Sequence, residues 1–254
     1  MNAADLAADI AHRWERTTAV DELADAIERG DFDAARVLAR SPLVRSALAD
    51  EPWTRLEVLA CMGACGCANL QAEAIATVRQ EPELVRVAFS GGQTLLHRAA
   101  GAWSIPFVEA LLELGADVNG ADVAGHPPLY HAGNRMPRPP GGTYADAAAL
   151  VALFVKYRAN LNLANGVKHC TPLHMAARRG NAALAEALLA HGANPEARDS
   201  NGETPLRRAV NCAQPAVARV LIDRGADRHS RCSRGRTPCD AARTAEMRKL
   251  LGLE

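Results

Sequence analysis

Aromatic residues are scarce in this 254-residue chain, with Trp, Tyr and Phe together supplying 4% of it. Strands favour aromatic and β-branched side chains, so a hydrophobic share of 48% made mostly of Ala, Leu and Val points instead to closely packed helices and an all-α protein. Net charge is missing too. Basic and acidic residues number 29 each, which removes the bulk attraction to phosphate expected of a nucleic-acid binder. Nowhere do about 18 apolar residues run together, so no membrane association is expected. The N-terminal MNAADLAADIAHRWERT carries Asp5 and Asp9 inside its apolar stretch and has no basic segment ahead of one, so no secretory signal is read. Seven cysteines, an odd number in a chain too large to rely on disulfides, suit reduced cytoplasmic thiols. Lysine is nearly absent, at Lys156, Lys168 and Lys249 alone, and beside abundant alanine this bias points to a GC-rich, bacterial genome.

What the chain has is repetition, the feature that decides architecture before any local reading does. The phrases TLLHRAA at Thr94, PPLYHAG at Pro127, TPLHMAA at Thr171, TPLRRAV at Thr204 and TPCDAAR at Thr237 start 33, 44, 33 and 33 residues apart. A second phrase follows each of the first four: LLELGADVN from Leu111, LFVKYRANLN from Leu153, LLAHGANPE from Leu188 and LIDRGADRH from Leu221. His97 to Gly115, His174 to Gly192 and Arg207 to Gly225 each span 18 residues, whereas Tyr130 to Arg158 spans 28. The long interval therefore holds a ten-residue insertion within its unit and one further residue in the loop after it.

Physical chemistry gives the unit its form. Thr171 and Thr204 can cap helix starts, and Pro172 and Pro205 suit a first helical position that needs no N–H. Leu173, Ala176 and Ala177 then share one face of a short helix, while Leu184, Leu188 and Leu189 form the stripe of a second. Gly192 and Gly225 follow where a left-handed cap is wanted, and Asp199-Ser-Asn-Gly202 is a turn leading to the next threonine. Over residues 89–254 this pattern resembles the ankyrin repeat family. The resemblance implies an all-α helical repeat solenoid with short β-hairpin turns, of about seven units once degenerate and capping ones are included.

The N-terminal third keeps the period without the motif. Leu23, Ala26, Gly30, Val37 and Leu38 sit at the mutual offsets of Leu173, Ala176, Gly180, Ala187 and Leu188, and Leu56 follows Leu23 by 33 residues. Leu56, Leu59, Ala60 and Gly63 repeat the first-helix pattern, with a seven-residue insertion before Leu96. Residues 1–88 are accordingly expected to be an N-terminal helical cap, with Leu6, Ile10 and Trp14 on its helix, followed by two degenerate repeats over 18–88 of the same solenoid. Residues 89–254 form the repeat region proper, with an inserted loop at 135–144. Ala241, Met247, Leu250 and Leu251 would close the far end.

No catalytic residue is assigned. His97 and His174 occupy the motif's fourth position, where the resemblance implies a local structural tie, and neither His126, His131 nor His169-Cys170 sits in an activating motif. Cys61-x3-Cys65-x-Cys67 lacks a second pair at zinc-finger spacing and reads as small core hydrophobes. His229, Cys232 and Cys239 are looser still, and Gly91-Gly92 and Gly141-Gly142 open no phosphate fingerprint. Neither a metal nor a cofactor is expected.

The family's binding surface of hairpin tips and first helices maps here onto Gln93, Val123, Ala124, His126, Asn134, Arg135, Val167, Lys168, Arg178 and Arg179. It continues through Ser200, Asn201, Glu203, Asn211, Ser233, Arg234 and Arg236, with Trp103 replacing the usual glycine after the first helix. That surface is basic, and the chain is polarised, since residues 1–50 hold ten acids and six bases while 201–254 hold six and eleven. The expectation is a monomeric, non-catalytic module that binds an acidic protein or peptide. A bacterial effector or immunity-type protein that inhibits or sequesters an enzyme through the same surface is the alternative, and a thiol- or metal-dependent enzyme is the third reading. The Pro-rich stretch from Arg135 to Tyr144 is either a tolerated surface expansion or a contact loop.

Overall fold

The computed structural model describes residues 68–89, 91–134 and 144–253, with scattered positions between 18 and 63. Helix α1 (Ala68–Gln80) and a 3₁₀ turn (Pro82–Arg86) precede five helix pairs. These are α2 (Leu95–Ala102) and α3 (Ile105–Glu113), α4 (Pro128–Asn134) and α5 (Tyr144–Lys156), α6 (Pro172–Arg179) and α7 (Ala182–Ala190), α8 (Pro205–Asn211) and α9 (Pro215–Asp223), and α10 (Pro238–Ala241) and α11 (Ala245–Leu251). Among the described residues the strand content is one isolated bridge, Ala88 to Thr94. The chain is an all-α repeat solenoid, as expected.

Each start is set by the residue types that the repeat supplies. Thr94, Thr171, Thr204 and Thr237 are extended N-caps, and Pro172, Pro205 and Pro238 open their helices without a wasted donor. First helices stack on first helices, in the order α2, α4, α6, α8, α10, and second helices stack likewise from α1 through α3, α5, α7 and α9 to α11. Leu96, Leu129, Leu173 and Leu206 from one layer and Leu111, Leu150, Leu188 and Leu221 from the other are all at most 2% exposed. These motif leucines form the continuous core, which no pair could enclose alone.

Hydrogen bonds bind each unit to the next. The Nδ1 atom of His97 accepts from the Thr94 N–H at 3.0 Å and its Nε2 lies 3.1 Å from the His126 carbonyl; His174 repeats both contacts, with Thr171 at 3.2 Å and the Glu203 carbonyl at 3.0 Å. An acceptor at Nδ1 and a donor at Nε2 define neutral imidazoles. Arg207 takes the same place in the next unit and donates to the Thr237 carbonyl. Burial holds His97 down to about 4 and lowers His174 as well.

The array reaches back before its first clear repeat. Helix α1 packs on α3 in the second-helix layer, and Leu59, Ala60 and Met62 are helical and buried. The Gly63 carbonyl accepts from the Ser104 hydroxyl at 2.5 Å, and a side chain there would meet the Phe107 ring. Leu6, Ile10, Trp14, Leu23, Gly30 and Leu56 lie outside the described residues.

Two expectations are corrected. Tyr144, assigned to the inserted loop, is the first residue of α5, a 13-residue helix beside the 9 residues of α3, α7 and α9. Part of the insertion thus lengthens a helix. Trp103, assigned to the partner surface, is 8% exposed, and its indole N–H donates to the Ala132 carbonyl of the next unit at 3.0 Å. It occupies the left-handed exit of its first helix at φ 58°, where Gly180 (79°) and Ala213 (52°) stand in later units.

Removing left-handed strain from an exposed residue should stabilise the fold, so Ala213→Gly is expected to raise stability by about 1 kcal/mol. Trp103→Gly, at the same place in its unit, should lower it by about 3–5 kcal/mol because a buried ring and its hydrogen bond disappear. Leu188→Ala should cost about 2–5 kcal/mol by leaving a cavity. Urea denaturation midpoints separate these outcomes. The buried histidines fix the response to acid: between pH 6.5 and about 4 the unfolded chain binds protons that folded His97 refuses. Stability should therefore fall as pH drops through that window, and His97→Gln should flatten the slope measured by denaturation at pH 7 and pH 4.5.

Candidate functional site

The surface begins at one residue of each hairpin. Asp122, Asn165, Asp199 and Cys232 donate their backbone N–H to the carbonyls of His126, Cys170, Glu203 and Arg236, which closes the turn. Asp and Asn are favoured here because a side-chain oxygen can take up the tip's free N–H groups. Asp122 Oδ1 accepts from Ala124 and His126, Asn165 Oδ1 from Lys168 and Cys170, and Asp199 Oδ1 from Asn201 and Glu203, at 2.8–3.2 Å. The hairpin opened by Asn165 is one residue longer, with His169 left-handed at φ 50°, and accounts for the extra loop residue.

Neighbouring tips are joined through their backbones. Val123 donates to Gly91 at 2.8 Å, Ser200 to Lys168 at 2.9 Å and Ser233 to Asn201 at 3.0 Å. The turns are fixed, yet side chains on them stay in water: Val123 is 83% and Val167 71% exposed, and Lys168, Asn201, Arg234 and Arg236 are exposed as well. Ser200, Asn201, Glu203, Ser233, Arg234 and Arg236 line a shallow open cleft between two adjacent tips.

A second spacing governs the charges. Nine residues after the hairpin residue comes a first-helix side chain that meets it: Arg98 lies over the Phe89 ring at 5.2 Å, and Arg208 pairs with Asp199. Glu203 stands between two guanidiniums, 3.1 Å from Arg207 and 3.5 Å from Arg208, and accepts from the Asn211 amide at 3.1 Å. Burial works against the Arg208 charge, but the Asp199 and Glu203 carboxylates offset it and hold the group above its ordinary value.

The assigned contact residues thus divide. Lys168, Arg178, Asn201, Arg234 and Arg236 are exposed, and none of these cations has an ion pair among the described residues. Arg179 is exposed but donates twice to the Asn134 side chain of the preceding unit, at 3.2 and 2.8 Å. Glu203 is committed to the ionic network, and Asn211 is attached to it. Gln93 is half-buried, and half-buried His126 stacks on Tyr130. Arg135 lies outside the described residues, as do Cys61, Cys65 and Cys67. Sequence reasoning missed Asp122, Asp199 and Arg208, although the nine-residue spacing of Asp199 to Arg208 and Asp122 to His131 was the available signal. Burial raises the Cys170 and Cys239 thiols, which keeps them protonated and ill-suited to act as nucleophiles.

No helix among the described residues is long and apolar enough to cross a membrane. A family model for ankyrin repeats in three copies matches residues 143–232, and one for a single ankyrin repeat matches residues 91–123. The chain is 32% identical over 112 residues to the tyrosine-protein kinase Shark of Drosophila melanogaster, covering 44% of this chain and 11% of the kinase. It is 35% identical over 95 residues to zygote-specific protein 3 of Chlamydomonas reinhardtii, covering 37% of this chain and 22% of that protein. These partial matches reflect shared repeats, which are generally non-catalytic modules for protein–protein interaction. With the stacked helix pairs, the stitched hairpins and the matched segments in agreement, the chain belongs to the ankyrin repeat family.

Proposed function

We propose that this protein docks an acidic protein or peptide on the concave surface formed by its hairpin tips and first helices, as a monomeric cytoplasmic module without enzymatic activity or nucleic-acid partner. The observation that carries this reading is the contrast in how cations are used. Arg208, Arg207 and Arg224 face carboxylates from their own array, whereas Lys168, Arg178, Arg234 and Arg236 stand exposed on or beside the tips without one among the described residues. Unneutralised guanidinium groups on a backbone-fixed support suit bidentate binding of carboxylates and need little reordering on contact. The cleft between the Asn201 and Ser233 tips adds hydroxyl and amide groups beside Arg234 and Arg236.

Reversal of charge at Arg178 and Arg234 tests the reading, because among the described residues neither side chain ties one unit to another. Arg179 is left in place, since its bonds to Asn134 would be lost with it. Arg178→Glu with Arg234→Glu should keep the wild-type melting temperature while weakening affinity for an acidic protein captured on immobilised wild-type chain at least tenfold and flattening its salt dependence. Titration calorimetry at two salt concentrations, beside thermal melts, measures both. Undiminished affinity in the folded double variant would remove the basic face from consideration.

A further inference from the structure

We infer that Asp122, His126 and His131 form a binding site for one divalent transition-metal ion of the zinc class, with an open fourth position for water. Asp122 Oδ2 lies 3.3 Å from His126 Nδ1 and 3.0 Å from His131 Nε2, and all three ligand atoms fall within 4.8 Å of one another. Ligands bound tetrahedrally to zinc at about 2.0–2.1 Å stand about 3.3 Å apart, so this spacing is already close to what the ion requires. Two imidazoles and one carboxylate are also a donor set that suits zinc, cobalt or nickel over calcium or magnesium.

Each ligand is held from behind, as effective metal sites require. The carboxylate is anchored through its other oxygen by the Ala124 and His126 N–H groups at 2.9 and 2.8 Å, leaving Oδ2 to the imidazoles. His126 stacks on Tyr130 with ring centroids 4.3 Å apart, and its carbonyl is tied to His97 Nε2. His131 is built into α4. The Asp122 side chain is 4% exposed, but those of His126 and His131 are 24% and 16%, which leaves solvent access to the cluster.

The other repeats show that this chemistry is peculiar to one unit. The place of Asp122 and His131 is taken by Asp199 and Arg208 in a later unit and by Asn165 and Met175 in the one between; His126 corresponds to Cys170 and Glu203. A plain structural pair at this place is served by arginine. Among the described residues, only the unit opened by Asp122 sets two metal-ligating rings over one carboxylate oxygen.

The later unit also supplies the control. His131→Arg would pair with Asp122 as Arg208 pairs with Asp199, preserving the fold while removing a ligand. The full chain should bind one Co²⁺ at this site with visible d–d absorption, displaced by Zn²⁺, and Zn²⁺ should raise its melting temperature. His131→Arg should melt like the metal-free wild type and lose that Co²⁺ equivalent and the Zn²⁺ shift; His126→Gln should bind at least tenfold more weakly. Should His131→Arg fail to fold, Asp122→Asn makes the same comparison, with the residue type found at Asn165. Wild type taking up no Co²⁺, or wild type and the folded variant binding it with equal stoichiometry and affinity, overturns the site; the second result assigns the ion to other donors, such as Cys61, Cys65 and Cys67.

Discussion

Each helix pair in this protein is too short to enclose its own apolar stripe, so the burial of one unit depends on the presence of the next. First helices of 4 to 8 residues and second helices of 7 to 13 expose leucines on faces that only another pair can cover. That dependence explains why Leu96, Leu129, Leu173 and Leu206 recur in register and why all are buried. It also explains the polar ties. A neutral His97 or His174 caps its own helix with one ring nitrogen and holds the next hairpin with the other, converting a local requirement into a link between units.

Function follows from what this dependence leaves unused. Stacking consumes the apolar stripes, and the nine-residue partnership consumes the charges at Asp199 and Arg208. Hairpin tips bear a different load. Their backbones are committed to closing the turn and meeting the adjacent tip, while the side chains of Val123, Lys168, Ser200 and Ser233 make no such demand on the fold. Sequence can change there without disturbing the array.

The same position can also be given new chemistry without redesign. Arg98 over Phe89, Arg208 against Asp199 and His131 against Asp122 are answers to one geometric problem, namely what should lie under the start of a hairpin. Arginine answers it with a permanent charge. Histidine answers it with a ring that also ligates metals, and His126 beside it turns a structural contact into a convergent cluster.

The sequence alone determined the repeat, because threonine caps, first-turn prolines and leucine stripes act over a few residues and recur at a fixed interval. Helix starts at Thr171, Thr204 and Thr237, the glycine caps after the second helices and the extra residue before Cys170 were therefore legible from the letters. So was the structural place of His97 and His174. Tertiary structure decided the rest. Trp103 reads as an exposed substitute for glycine until the neighbouring unit supplies the Ala132 carbonyl that its indole reaches. Glu203 and Arg179 read as free contacts until the Arg207, Arg208 and Asn134 side chains close on them. Asp122, His126 and His131 look like separate loop and helix residues because the hairpin must fold onto the following helix before their ligand atoms can meet. Local chemistry is written in adjacent residues, whereas convergence across a turn or between units depends on distances that exist only after the helices have stacked.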